Sequence, residues 1–516
     1  MLRTIRILWR LLHIAQTLAR HDILAVLEEL QVVPGIVWLA RLVARRRAEG
    51  RPGQKLARAA NEAGPSFIKL GQFFSTRADL LGEELAADLS ELQDRLPPFA
   101  SAEARATIEK ELGRPVDELF ESFEDEPISA ASIAQVHLAV TRGEDGESGR
   151  EVAVKVLRPG IERAFERDLE LLYWLAEMAA RTRPRLRRLK PVEVVRLFEE
   201  TVRIEMDLAL EAAAASELAD NFAGDPSYHT PVIDWQRTSR RVLTMGRIGG
   251  TPIDDREGLI AAGHDLREVM TKAATIFFNQ AFRDGLFHGD QHAGNMFVDA
   301  DGNIVAVDFG IMGRLDRQTR TFLADMLLAL LARDYKRLAE VHLEAGFLPP
   351  GQSPEAFAQA LRSVTEPIFD RPLHEVSFAR LLARLLRLSE SFDMPVQPQL
   401  LLLQKNMLMA EGVSRRLDPD LNIWTLAQPL IEEWMRENRG PEARLRGAVE
   451  ELSTTLERLP SLVSNMESVA KDLAGGGLRL HPETVEAMGG TGGRRDARWA
   501  LWIAIGAAVL AILAVF

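Results

Sequence analysis

The sequence predicts an α+β fold that is mostly helical, with an N-terminal helical extension and a C-terminal transmembrane helix. Three observations predict it. Short β-like runs, separated by turns rich in Gly and charge, are concentrated between residues 127 and 247. Long stretches with the helical spacing of apolar residues precede and follow them. The chain ends on WALWIAIGAAVLAILAVF, 18 residues without a charge.

Composition narrows the class of protein. The 516 residues predict two or three domains, and a hydrophobic fraction of 47% is enough for a sizeable core. A net charge of −12 argues against a nucleic-acid partner. Residues 1–58 nevertheless hold 11 basic and 4 acidic side chains, which suggests attraction to an anionic membrane surface. The absence of Cys excludes disulfides, thiol catalysis and Cys-ligated zinc.

The patterns divide the chain into six predicted segments. They are a basic amphipathic helical region (1–60), a helical extension (61–126), a strand-containing N-lobe (127–247), a helical C-lobe (248–440), a helical and Gly-rich linker (441–497) and a transmembrane tail (498–516). In the first helix Arg3, Arg6 and Arg10 share one stripe opposite a stripe of Leu. A helix lying on a membrane and a helix packed on its own protein fit this pattern equally well.

The pattern that carries chemistry consists of four short pieces in a fixed order. Lys155 lies in the predicted strand EVAVKVL, Asp290 and Asn295 are five residues apart, a hairpin follows, and Asp308 begins Asp-Phe-Gly. Phosphoryl transfer from a nucleotide uses such groups: a strand Lys on the phosphates, an Asn and an Asp on magnesium, and an Asp that orients the attacking oxygen. We therefore expect ATP and Mg²⁺ as cofactors, Asp290 as catalytic residue, and Asn295 and Asp308 as metal ligands.

Further motifs between about residues 60 and 440 resemble the UbiB/AarF family of atypical kinase-like ATPases, which is linked to ubiquinone biosynthesis. The motifs are KLGQ (69–72), AASIAQVH (130–137), EMD (205–207) followed by Glu211, HGDQHAGN (288–295) and DFG (308–310). Ala293 stands where the family usually has Pro, and Ser129 where another Ala is usual. Neither difference removes a charged or metal-binding group, so we expect an active site.

The resemblance implies a two-lobed protein-kinase-like fold and further site residues. An Ala-rich loop would cover the nucleotide, so Ala130, Ala131, Ser132, Ile133 and Ala134 join Lys155 as expected nucleotide-binding residues. Lys69, in a motif with Gln72, would pair with Glu205, in a motif with Asp207, while Lys155 would pair with Glu211. Six residues separate the two Glu, so on a helix they point in different directions. His288 is expected to brace the loop, and His292 receives no role.

The function that the resemblance implies is a membrane-attached ATPase supporting ubiquinone or other prenyl-lipid biosynthesis. Its expected partners are ATP, a membrane lipid or prenyl-quinone precursor, and lipid-biosynthesis enzymes, but no nucleic acid. Two alternatives stay open: a phosphotransferase acting on a protein or small molecule, and a non-catalytic, nucleotide-gated scaffold. The KxGQ segment argues against a peptide acceptor, because by resemblance it occupies the place of a peptide.

The C-terminal tail predicts the location of the protein. Eighteen helical residues span about 27 Å at roughly 1.5 Å per residue, close to the hydrocarbon thickness of about 30 Å. Arg494, Arg495 and Arg498 precede the span, so the positive-inside rule keeps the catalytic domain on the cytoplasmic side of the inner (cytoplasmic) membrane. The resemblance implies a pair of spans in bacterial members, whereas this tail has room for one.

Overall fold

The residues that the computed structural model describes all lie within Met1–Met435. The described residues are 2–24, 50–75, 83–90, 92, 96–143, 149–182, 190–369, 381, 384–385, 388–389, 391–394 and 398–418. The predicted linker (441–497) and transmembrane tail (498–516) lie outside them. Within these ranges, no helix combines the length and the apolar character that a membrane span needs.

The described helices are numbered in chain order. They are α1 (Leu2–Arg20), α2 (Pro52–Ala63), α3 (Pro65–Ser75), α4 (Glu83–Ser90), α5 (Ser101–Leu112), α6 (Val116–Leu119), α7 (Ile161–Thr182), α8 (Pro191–Glu205), α9 (Leu208–Asn221), α10 (Arg256–Ala261), α11 (Leu266–Phe278), α12 (Arg317–Leu331), α13 (Tyr335–Glu344), α14 (Pro354–Phe369) and α15 (Pro398–Leu417). A π-helical segment, Asn279–Asp284, continues α11, and 3-10 turns occupy Trp235–Arg237 and Ala293–Asn295.

The strands are short and belong to three sheets. They are β1 (Phe120–Phe123), β2 (Ser129–Ala130), β3 (Ala134–Thr141), β4 (Glu151–Leu157), β5 (Tyr228–His229), β6 (Val242–Gly246), β7 (Thr251–Pro252), β8 (Leu286–His288), β9 (Met296–Val298), β10 (Ile304–Ala306) and β11 (Met312–Arg314). The N-lobe sheet has the order β1-β3-β4-β6, with β2 also paired to β3; the other sheets are β5-β10-β9-β7 and β11-β8. Every pair in the N-lobe sheet is antiparallel.

Alternation along β4 decides which way its lysine faces. Val152, Val154 and Val156 are buried against α5 and α6 on one side of the sheet. Leu157, and the partly buried Ala153, pack on the other side with residues of α7, α8 and α9. Successive side chains of a strand point to opposite faces, so Lys155 shares the face of Ala153 and Leu157. It is therefore directed toward α9.

The C-lobe core lies under the β9–β10 hairpin that the sequence predicted around Asp301. Met296, Ile304 and Phe309 belong to this core together with buried residues of α9, α11 and α15. The hairpin is antiparallel, with Ile304 opposite Val298. Because α9 contributes Ala212 to the N-lobe core and Leu218 to the C-lobe core, it connects the two lobes.

The N-terminal helix packs on the protein itself. Leu11, Ile14 and Leu18 are buried in a cluster with residues of α2 and α7. Arg10, predicted on a polar stripe, instead forms a buried ion pair with Asp168 of α7. Of the two interpretations of this amphipathic helix, the structure therefore shows the second, and its apolar face is not available to a membrane. Trp9, with 72% exposure, lies on the outer side of the helix.

Candidate functional site

A lysine bridges two acids where β4, α9 and the end of the β9–β10 hairpin meet. The Nζ atom of Lys155 donates to Glu211 Oε1 at 2.8 Å and Oε2 at 3.0 Å, and to Asp308 Oδ1 at 3.1 Å. The side chains of Lys155 and Glu211 are 12% and 4% exposed, whereas that of Asp308 is 52% exposed. The bridge therefore has a buried end at Glu211 and an open end at Asp308.

The charges of this cluster determine its protonation. Burial alone would lower the pKa of Lys155, but Asp308 and Glu211 raise it above its usual value. Desolvation by the surrounding protein opposes ionisation of the half-exposed Asp308, yet Lys155 and Lys69 hold the pKa of this carboxyl well below its usual range. Burial raises the pKa of Glu211 against the opposing charge of Lys155. At neutral pH, Lys155 is a cation and Asp308 an anion that faces solvent.

Asp308 has a backbone conformation that few non-Gly residues adopt. Its φ of +62° lies in the left-handed region. The residues on either side are fixed: Val307 N donates to Asn295 O at 2.9 Å, and Phe309 is 2% exposed in the C-lobe core. Backbone strain of this kind persists where the surroundings determine it, and such places are often functional sites. The strained backbone holds the Asp308 carboxylate out of the core.

His288 connects the loop that follows β8 to the strand that leads to Asp308. The Asp290 backbone N–H donates to Nδ1 of His288 (3.1 Å), and Nε2 lies 3.2 Å from the backbone oxygen of Val307. Because one ring nitrogen must accept and the other donate, His288 is a neutral imidazole with its proton on Nε2. Burial lowers the pKa of His288, which favours the same neutral form. The ring therefore braces the loop, with both nitrogens engaged.

Asn295 and Asp308, the two expected metal ligands, each present a side-chain oxygen. The Asn295 side-chain nitrogen donates to the backbone oxygen of Asp290 at 3.1 Å, which leaves Oδ1 as the atom able to bind a cation. Asp308 supplies an ionised, half-exposed carboxylate. Among the described residues there is no cluster of three or more His, Asp or Glu suited to a metal. One carboxylate and one amide suit Mg²⁺, which is often held by few protein ligands together with phosphates and water.

Asp290 lies between two basic side chains. Lys405 of α15 donates to Asp290 Oδ1 at 2.7 Å, and His292 Nε2 lies 4.0 Å from Oδ2. The neighbouring Asn406 donates to the backbone oxygen of His288 and accepts from Gln291 N. Neither Lys405 nor Asn406 is among the site residues predicted from the sequence. A signal was present, because they form a polar interruption in the apolar run LLLLQKNMLM, and the chain has only nine Lys.

Lys69 and Glu205 form a second buried ion pair next to the Lys155 cluster. Their charged atoms are 2.7 Å apart, with side chains 11% and 10% exposed. Lys69 is close enough to Asp308 to lower the pKa of that carboxyl. A solvated helix face, the simplest interpretation of Lys69 by itself, is therefore wrong.

Two residues of the same motifs have local roles in the structure. Asp207 caps α9 by accepting from Ala209 N at 3.2 Å, and it lies 3.7 Å from Arg240. Gln72 is half-buried, and its described hydrogen bond uses its backbone oxygen, which accepts from the Ser75 hydroxyl at 2.7 Å. The structure thus gives neither residue a described contact with the charged cluster.

Three of the five residues expected to bind nucleotide in the Ala-rich loop are buried. Ser132, Ile133 and Ala134 are 0%, 7% and 1% exposed, so their side chains point into the protein. The cause is the tight turn between β2 and β3, where Ala131 N donates to Ala134 O at 2.8 Å. Arg158 holds the turn from outside through the Ala131 oxygen at 2.9 Å. Ala130 and Ala131 are half-buried, and any contact of the inner three residues with a nucleotide would have to use backbone atoms.

Gln135 and His137 of the same motif have a structural task that the sequence analysis did not assign. Gln135 Oε1 accepts from Phe99 N at 2.9 Å, and its Nε2 lies 2.8 Å from His137 Nε2. His137 Nδ1 lies 2.8 Å from the backbone oxygen of Glu124, and burial lowers the pKa of this histidine. These bonds attach the segment before α5 to the N-lobe sheet and support the turn that carries the Ala-rich loop.

Comparisons with known proteins show which family the chain resembles. Residues 91–342 match the ABC1 atypical kinase-like domain, and residues 361–422 match the UbiB helical domain. A probable protein kinase UbiB from Marinobacter nauticus is 46% identical over 414 residues, which are 80% of this chain and 75% of that protein. Another from Azotobacter vinelandii is 41% identical over 475 residues, 90% of this chain and 87% of that protein.

Solved structures include a more distant match. The Rv3197–erythromycin complex from Mycobacterium tuberculosis has 25% sequence identity and a TM-score of 0.49, and the match covers 72% of this chain and 93% of that one. The two domain matches, together with more than 40% identity over most of the chain, show the relationship. The chain belongs to the UbiB family of ABC1 atypical kinase-like proteins.

Proposed function

We propose that this protein is an ATP-dependent, kinase-like ATPase that supports ubiquinone or other prenyl-lipid biosynthesis at a membrane. The observation that carries the proposal is the Lys155 bridge from Glu211 to Asp308, at 2.8 Å and 3.1 Å. A strand lysine fixed by a helix glutamate beside a metal-binding aspartate is the arrangement that kinases use to hold ATP.

Each group of the site has a task suited to its position. Lys155 is a preorganised cation that would bind ATP phosphates, with Glu211 fixing its direction. Asn295 Oδ1 and the Asp308 carboxylate would hold Mg²⁺, which, when bound, neutralises part of the phosphate charge. Asp290 presents a carboxylate on the same loop as Asn295 and would orient the attacking oxygen.

The acceptor that we propose is water. Lys69 on α3 is near enough to influence Asp308, so α3 lies beside the phosphate-binding groups. A helix in this position argues against an extended peptide reaching Asp290. A small-molecule acceptor remains the first alternative. A nucleotide-gated scaffold is the second, and an Asp290 carboxylate held in place by Lys405 argues against it.

The membrane part of the proposal depends on other features. Members of the family are linked to ubiquinone biosynthesis, and prenyl quinones are membrane-resident molecules. The uncharged tail at 499–516 would anchor the chain in the inner (cytoplasmic) membrane, with the catalytic domain on its cytoplasmic side. The proposed partners are therefore a membrane lipid or prenyl-quinone precursor and the enzymes that act on it.

The test separates the three candidates by turnover. Purified protein is given ATP and Mg²⁺, and phosphate release, phosphate transfer and nucleotide binding are measured in parallel. Asp290→Asn should bind nucleotide nearly as wild type does but lower phosphate release by at least about a hundredfold. The matched control is Asp301→Asn, which makes the same carboxylate-to-amide change at an exposed residue of the β9–β10 turn. Wild-type turnover in Asp290→Asn would contradict the assignment.

The lipid role needs a test in cells. A strain lacking the protein should show a changed quinone profile, which the wild-type chain restores and Asp290→Asn does not. Restoration by Asp290→Asn would favour the scaffold, because the protein would then act without turnover.

A further inference from the structure

The helical domain that follows the kinase-like domain reaches into the proposed catalytic loop. Two adjacent residues of α15, Lys405 and Asn406, contact this loop although 115 residues separate Lys405 from Asp290. The helix is held against the loop from behind. Its partly buried Leu402, Leu403 and Met407 pack on the apolar cluster beneath β8.

Asn406 fixes the backbone of the loop on both sides of Asp290. Its side chain is fully buried, donates to the His288 backbone oxygen and accepts from Gln291 N at 3.2 Å. A buried amide with both ends satisfied specifies one geometry of the chain that it contacts. The segment from 288 to 291 therefore has a fixed course, with the Asp290 side chain directed by its neighbours.

Lys405 fixes the Asp290 carboxylate itself. Its Nζ atom donates to Oδ1 at 2.7 Å, and both side chains are little exposed, at 23% and 22%. An ion pair shielded in this way is less weakened by solvent than an exterior one. The ammonium is a compact point charge that contacts Oδ1, while Oδ2 lies toward His292, 4.0 Å away. The two carboxylate oxygens of Asp290 therefore have different neighbours, Lys405 at Oδ1 and His292 near Oδ2.

We propose that Lys405 is a positioning residue for the ATPase reaction, acting through Asp290. By binding Oδ1 it turns Oδ2 toward the attacking O–H group, with Asn406 holding the backbone on which Asp290 sits. The UbiB helical domain then completes the catalytic site and is more than a neighbouring module. This inference rests on the proposed function, since it assigns Lys405 a role in turnover.

The first experiment separates positioning from binding. Lys405→Met keeps the length of the stem and removes the charge, and it should lower kcat at least about tenfold with KM for ATP within about twofold of wild type. Lys405→Arg, which keeps the charge, should recover part of kcat. Lys336→Met, the same change at an exposed lysine of α13, is the control. Wild-type kcat in Lys405→Met would overturn the proposal.

A double variant tests whether Lys405 acts through Asp290. If it does, Asp290→Asn/Lys405→Met should be no slower than Asp290→Asn alone, because the second change removes nothing further. Multiplied losses would show that Lys405 acts independently, and would overturn the positioning role.

Failure of the proposed function is distinguishable from failure of this inference. If the wild type binds ATP but shows no turnover, the ATPase proposal fails. Thermal unfolding then tests whether Lys405 and Asn406 hold the loop at 288–291. The melting-temperature losses of Asp290→Asn and Lys405→Met should then be strongly non-additive in the double variant, and Asn406→Ala should accelerate hydrogen exchange at the Gln291 amide. Additive losses with unchanged exchange would overturn the loop-holding role as well.

Discussion

Lys69 and Glu205 join α3 to the C-terminal end of α8 through an ion pair of 2.7 Å that is almost closed to solvent. The pair lies beside the Lys155 cluster, because Lys69 is one of the charges that lower the pKa of Asp308. The same lysine thus fastens the helical extension to the N-lobe and places a positive charge near the proposed magnesium ligand. We therefore expect the position of α3 to affect cation binding at Asp308.

Removing the Lys69 charge should therefore change the metal requirement for nucleotide binding. Lys69→Met takes away a charge that opposes a cation at Asp308, so ATP should bind at a lower Mg²⁺ concentration than in wild type. Thermal-shift titrations with ATP at several Mg²⁺ concentrations measure this. The variant should also be cleaved faster by protease in residues 60–80, because α3 is less firmly attached.

A lysine of α5 that faces solvent provides the comparison. Lys110→Met changes an exposed residue of α5 and should leave both measurements as in wild type. An unchanged Mg²⁺ dependence and unchanged protection in Lys69→Met would show that the pair does not control the site.

Asp308→Asn should abolish Mg²⁺-dependent binding of ATP. A neutral amide cannot replace the ionised carboxylate that the surrounding lysines maintain, and it would weaken the bond from Lys155 as well. In thermal-shift titrations, the stabilisation by ATP with Mg²⁺ should disappear, while Asp301→Asn keeps it. If Asp308→Asn retains the full shift, the metal ligands lie elsewhere.

Much of this site was predictable because its parts are local patterns. The period of two in EVAVKVL predicted a strand with Lys155 on one face, and the apolar runs around Asp301 predicted the hairpin that ends before Asp308. The expected partners are also present in the structure: Lys155 with Glu211, and Lys69 with Glu205. Their choice came from motif resemblance, since spacing on a helix allows many partners.

The parts that were missed depend on contacts distant in sequence or on strand register. Lys405 reaches Asp290 across 115 residues, and no local periodicity encodes such a pair. The burial of Ser132 and Ile133 follows from the pairing of β2 with β3, which the loop sequence does not reveal. β1 begins at Phe120, ahead of the β-like region expected from Pro127. It was not predicted because FESF is short and half polar.

The ion pair between Arg10 and Asp168 should be important for stability. Asp168 is 3% exposed and accepts from Arg10 at 2.6 Å and 2.9 Å, so Arg10→Met would leave a buried carboxylate with the longer contact from Arg167, at 3.4 Å. Loss of one partner of a buried pair costs about 3–5 kcal/mol in the free energy of unfolding. Urea unfolding measures the loss, and Arg10→Met/Asp168→Leu should be more stable than Arg10→Met.

A neighbouring exposed pair is the control for this prediction. Arg6 and Glu170 connect the same two helices at 3.4 Å, but the Arg6 side chain is 65% exposed. Exposed pairs contribute about 0–1 kcal/mol, so Arg6→Met should change the free energy of unfolding little. Equal losses in Arg6→Met and Arg10→Met would contradict the importance of burial.

Buried histidines should make the protein less stable in mild acid. Burial lowers the pKa of His342, whose Nδ1 lies 2.7 Å from the Leu338 oxygen. Below the unfolded-state pKa of about 6.5, His342 binds a proton in the unfolded chain but not in the folded chain, so the free energy of unfolding falls as pH falls. His342→Phe removes this titration. Between pH 7.5 and 5.5 its free energy of unfolding, measured with urea, should fall by about 1 kcal/mol less than that of the wild type. An equal loss in both proteins would exclude a contribution from His342.

The uncharged C-terminal segment should cross the membrane once. Trp499 to Phe516 is long enough for a thin hydrocarbon core, Arg498 precedes it, and Trp499 and Trp502 stand where an interfacial belt forms. Because the apolar face of α1 is buried on α2 and α7, that face is not free to serve as an anchor, and we propose the tail as the main attachment. An epitope tag placed after Phe516 should be cleaved by protease added to the periplasmic side of intact inner membranes, whereas a tag placed before Met1 should resist. A C-terminal tag that is digested only from the cytoplasmic side would exclude the span.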